Sequence, residues 1–87
     1  MNITTVKELC AALRSGDYTS IGAYPVYFIT KDGCALSYAS VCENVKLIGR
    51  AIRDKNDPQW EVIATEINWE NKDLRCEHSG ELIESAY

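Results

Sequence analysis

The chain has 87 residues, 46% of them hydrophobic and 25% charged, and carries a net charge of −4 at pH 7. That is the make-up of one globular domain, residues 1–87, in which about two-thirds of the unfolded surface can be buried. It excludes wholesale disorder and a membrane class, because no apolar run nears the ~18 residues needed to cross a bilayer.

In chain order, Thr5-Val6-Lys7-Glu8 has the form of a capping box, with hydroxyl and carboxylate each reaching the other residue's amide. Val6, Leu9, Cys10 and Leu13 follow as one apolar stripe, and Gly16 sits where a left-handed residue ends a helix, so the spacing predicts a helix over 6–15. Residues 17–23 have no period and read as a loop. Residues 24–30, Tyr-Pro-Val-Tyr-Phe-Ile-Thr, favour a strand, whose start Pro25 places at an edge or entry point. Asp32-Gly33 supplies a tight hairpin turn into a short return strand over 34–36.

Ser37 is a good N-cap, and Tyr38, Val41, Val45, Ile48 and Ile52 mark one face of a long second helix over 38–54, halted by Pro58. Residues 60–69 carry both tryptophans and apolar side chains on both parities, as expected of an interior strand. A turn over 70–73, a strand over 74–77, a turn over 78–81 and a strand over 82–85 complete a meander. The order α-β-β-α-β-β-β predicts an α+β fold, two helices packed on one face of a mainly antiparallel sheet.

The charge is uneven. Residues 1–56 sum to +2, whereas residues 57–87 sum to −6, with Lys72 and Arg75 against eight acids. An acidic tail disfavours direct nucleic-acid binding and favours a partner with a basic surface. The opening Met1-Asn2-Ile3-Thr4-Thr5 has neither the basic start nor the apolar block of a secretion signal, so a cytoplasmic setting and no membrane contact are expected. Cys10, Cys34, Cys42 and Cys76 are then free thiols, those at 10 and 42 packing as small apolar groups within helices.

No constellation compels a chemistry. Cys76-Glu77-His78 comes nearest, since on a strand Cys76 and His78 share a face and offer sulfur and nitrogen to one zinc ion. Two ligands are not four, and no Cys-x-x-Cys pair exists, so no metal or other cofactor is assigned. A zinc-supported regulatory or assembly module using Cys76 and His78 stands as the alternative reading. A thiol–imidazole pair two residues apart on a strand is too parallel for a good hydrogen bond, and a nucleophilic Cys34 or Cys76 ranks third. No phosphate-cradling glycine loop is present. The best material for function is a protein-binding surface of exposed aromatics and carboxylates, Tyr18, Glu66, Trp69, Glu70, Asp73, Glu77 and Glu81.

Residues 22–28 (Gly-Ala-Tyr-Pro-Val-Tyr-Phe), 32–37 (Asp-Gly-Cys-Ala-Leu-Ser), 67–71 (Ile-Asn-Trp-Glu-Asn), 74–80 (Leu-Arg-Cys-Glu-His-Ser-Gly) and 83–87 (Ile-Glu-Ser-Ala-Tyr) resemble a family of small, uncharacterised phage and prophage proteins over nearly the whole chain. The resemblance implies a setting rather than an activity: a host-takeover or anti-defence factor that inhibits or redirects a host protein in the host cytoplasm. The oligomeric state is left open, a dimer included.

Overall fold

In a computed structural model, residues 2–19 and 22–87 are described. Helix α1, Val6–Arg14, begins with the expected capping box: the Thr5 hydroxyl accepts from the Glu8 amide while the Glu8 carboxylate accepts from the Thr4 and Thr5 amides. These donors, the Thr4 hydroxyl first among them, hold the Glu8 carboxyl below its ordinary value. The helix yields to Gly16 at φ +87, a backbone conformation that side chains disfavour. Residues 20 and 21 of the expected loop lie outside the described residues, as does Met1. At the loop's ends the Thr19 amide donates to Tyr24 and the Val26 amide to Asp17.

Strand β1, Val26–Thr30, turns through Gly33 into β2, Ala35–Leu36. Helices α2, Tyr38–Glu43, and α3, Val45–Asp54, precede strand β3, Val62–Ile67. The antiparallel sheet has the order β2-β1-β3, with Phe28 opposite both Leu36 and Thr65. Helix α2 packs on β1, and α3 packs on β3 and α1. The α+β class is as expected. Phe28, Leu36 and Val62 of the sheet meet Leu9, Val41, Ile48 and Ile52 of the helices in one core, joined by Ile3 and by Cys76 and Ile83 of the tail.

Five details differ from the sequence reading. The long second helix breaks at Asn44, which leaves helical geometry at φ −116, ψ 25 while its side-chain amide donates to the Ser40 carbonyl at 2.8 Å. Short amides compete in this way for backbone partners. The strand expected over 60–69 is trimmed at both ends. Before it, the Trp60 and Glu61 amides both fold back onto the Asp57 carbonyl; after it, Asn68 turns its side chain inward. It is also an edge rather than an interior strand, since β1 holds the middle and only the Asn2–Ala64 bridge lies on its far side among the described residues.

The meander does not form. Residues 74–76 and 81–83 meet in a single Arg75–Leu82 bridge, because the intervening turn leaves only two backbone hydrogen bonds, Cys76 to Glu81 and Ile83 to Leu74. The last residues return to the end of β3, where the Ala86 and Tyr87 amides donate to the Asn68 and Trp69 carbonyls. Finally, the Cys10 and Cys42 side chains are exposed rather than packed; all four cysteines are free.

Gly49 lies on the buried face of α3, and a Cβ added there would meet the Val6 methyls at 3.8 Å, an ordinary contact. Gly49→Ala is therefore expected to stabilise the protein by about 0.5–1 kcal/mol through helix propensity. In a thermal melt this is a Tm rise of about 2–8 °C. A fall in Tm would mean that α1 and α3 sit closer than described.

Candidate functional site

Two places collect chemically capable side chains. The first is a groove of about 390 Å³ between the end of α1 and the end of β3. Val26, Thr65 and Ile67 share the helix-facing side of the sheet by their pairing, and with Ala12 they form the groove's wall. Tyr18, Glu66 and Trp69 also line it, so the loop after α1 meets the end of β3 here.

Trp69 is 47% exposed and Tyr18 39%. Both rings are held. Trp69 packs on Tyr24 with centroids 4.6 Å apart, and Tyr24 in turn lies against Gly22, where any Cβ would come within 2.6 Å of the ring. Glycine is required there twice over, because φ is +83. The Tyr18 hydroxyl donates to Glu84 at 2.7 Å, and the bond to that carboxylate pushes the phenol's pKa up. In the sequence Tyr24 reads only as the first residue of the strand expected over 24–30.

The acids of the tail fall into two groups. Glu66 pairs across the strands with Tyr27 and raises the Tyr27 pKa together with burial, the larger cause. Glu70 and Asp73 follow Trp69 in an exposed turn. Glu77 lies beyond β2 on the far side of the sheet, its amide donating to the Ala35 carbonyl, and Glu81 stands across the turn from it. The first group follows β3 and the second borders β2, the two outer strands of the sheet.

Internal neutralisation does not account for them. The ion pairs among the described residues are Arg53–Asp54 and Lys55–Glu61, and the Arg75 guanidinium donates to the Gly80 carbonyl. Glu61 is the one tail acid that is buried and paired.

The second place is a thiol cluster. Cys76 is 1% exposed. Its sulfur stands 3.3 Å from the Ser37 amide, 3.5 Å from the Ser79 amide and 3.3 Å from the Ser40 hydroxyl. The same hydroxyl is 3.1 Å from His78 Nδ1. Burial on its own raises the thiol pKa, but these donors outweigh it, the Ser40 hydroxyl most, and bring it to about 6.

The strand expected over 74–77 would have held Cys76 and His78 apart. The turn over 76–80 brings both to Ser40 instead, a buried residue of α2 that the sequence did not single out. The His78 ring packs edge-on against Trp60 with centroids 5.5 Å apart. It lines a cavity of about 180 Å³ with Cys34, Trp60, Asp32 and Glu77. Asp32 hydrogen-bonds and faces Cys34, pushing that thiol up. Among the described residues no group of three or more His, Cys, Asp or Glu side chains is placed to hold a metal ion, and no helix is long and apolar enough to cross a membrane. Set against protein-family models, curated proteins and solved structures, the chain matches none.

Proposed function

We propose that this chain is a non-catalytic binding protein of phage type, which inhibits or redirects a host protein in the host cytoplasm by docking on a basic surface. The observation that carries the proposal is the groove beside Trp69. An aromatic ring pre-set by Tyr24 stands at an apolar hollow next to exposed carboxylates outside every ion pair among the described residues. Rigid aromatic anchors supply contact energy at little entropic cost, and unpaired rim charges steer the encounter. The phage setting rests on the sequence resemblance.

The test is affinity capture from host lysate, followed by binding kinetics with the captured protein. The double reversal Glu70→Lys with Asp73→Lys is expected to slow association by about tenfold at low salt, with less effect on dissociation. Trp69→Ala is expected to speed dissociation by about tenfold or more, as loss of an anchor does. Binding that is indifferent to salt between about 0.05 and 0.5 M would overturn the electrostatic reading. Binding indifferent to Trp69→Ala would remove the groove from it.

A further inference from the structure

We propose that Cys76, Ser40 and His78 form a reactive-thiol centre at which a small hydroperoxide oxidises Cys76 to the sulfenic acid. Buried cysteines ordinarily lie among apolar groups and stay inert thiols. Here two backbone N–H groups and one hydroxyl converge on the sulfur, a donor set suited to an anion.

The Ser40 hydroxyl links that sulfur to an imidazole, the side chain suited to taking and returning a proton. In the neutral form the thiol donates to Ser40 and Ser40 donates to His78 Nδ1. Shifting both protons one place gives thiolate, hydroxyl and imidazolium, with the hydroxyl now donating to sulfur. Burial restricts the reagent. A sulfur with 1% exposure behind the 76–80 turn is shielded from large or charged reagents, and a hydroperoxide is neither.

The reaction balances without a further reagent. The thiolate sulfur attacks one peroxide oxygen, the S–O bond forms as the O–O bond breaks, and sulfur gives up two electrons. The departing oxygen leaves as hydroxide or alkoxide and takes the proton that His78 holds, passed back through Ser40, giving water or alcohol. Asp32, Cys34 and Glu77 face the cavity that His78 lines. Cys34, held as a thiol, does not compete for the peroxide.

The exposed Cys10 and Cys42 are controls within the same molecule. Native protein is treated with hydrogen peroxide, quenched, unfolded, alkylated and mapped by peptide mass, giving a rate for each cysteine. Ordinary thiols near 8.5 are about 0.3% ionised at pH 6, where Cys76 is about half ionised. The lower nucleophilicity of a weakly basic thiolate returns about a factor of 13 of that advantage, leaving Cys76 about tenfold faster.

Its rate should level off above pH 6. Ser40→Ala should bring the Cys76 rate at pH 6 to or below the controls. His78→Gln should slow it without altering Cys10 or Cys42. Burial alone predicts the opposite order. If Cys76 is the slowest of the three in the native protein at pH 6, or keeps its rate in Ser40→Ala, the centre does not exist.

Discussion

Asn68→Ala is expected to lower stability by about 2–4 kcal/mol, a far larger loss than a polar-to-small change at the end of a strand ordinarily causes. The side chain is buried, and its amide nitrogen donates to the carbonyls of Asn71 at 3.0 Å, Glu84 at 3.0 Å and Ile83 at 3.3 Å. Its oxygen accepts from the Asn71 amide at 3.2 Å. One side chain thus fastens the turn after β3 to the returning tail, whose own backbone ladder is too short to hold it. Alanine leaves those carbonyls without their donor unless the tail lifts away to find water. Thermal unfolding should show a Tm lower by about 10–25 °C, and the Ala86 and Tyr87 amides should lose protection from hydrogen exchange ahead of the core. Asn68→Asp should be at least as costly at pH 7, because a carboxylate has no donor for three carbonyl oxygens; its deficit should shrink as acid restores a proton. A loss below about 0.5 kcal/mol would show that the tail is held by other means.

Phe28→Ala is expected to cost about 3–5 kcal/mol, the largest effect of any substitution considered. Phe28 sits on the middle strand and is fully buried, with Leu36 and Thr65 beside it on the two flanking strands. Its ring lies 6.4 Å from that of Tyr38, whose hydroxyl donates to the Leu13 carbonyl at 2.7 Å. Removing the ring therefore opens a cavity under both helix ends and loosens the contact through which α1 is tied to α2. A domain of this size has about 5–10 kcal/mol in total, so chemical denaturation should begin close to zero denaturant. Tyr38→Phe, which keeps the ring and removes only the hydroxyl, should cost about 1 kcal/mol. Equal losses from the two changes would place the stabilisation in the hydrogen bond instead of the packed rings.

Local signals in the sequence were sufficient where neighbours along the chain supply both partners. The capping box at Thr5 and Glu8, the ending at Gly16, the turn at Gly33 and the cap at Ser37 are all made within four residues, and the α+β class follows from the elements they bound. The apolar period of α3 also announced the buried Ile48 and Ile52, whereas in the stripe of α1 Leu9 is buried but Val6 and Cys10 are exposed. Other features depended on partners remote in sequence. Trp60–Trp69 has the composition of a central strand, yet which strand takes the middle of a sheet is set by pairing, and β1 took it. Asn44 and Asn68 each ended an element by turning a side-chain amide onto carbonyls, a choice that composition does not distinguish from a solvated asparagine. Tyr18, Glu66 and Trp69 were legible as contact residues one at a time, but only folding brought α1 and β3 close enough to make them one groove. The same holds for Cys76 and His78. Spaced as on a strand, they are two weakly related side chains; the turn that replaces the strand delivers both to Ser40, 36 residues from the cysteine. Hydrogen bonds between distant residues have no periodicity to read, because their geometry exists only after the core has brought the chain segments together.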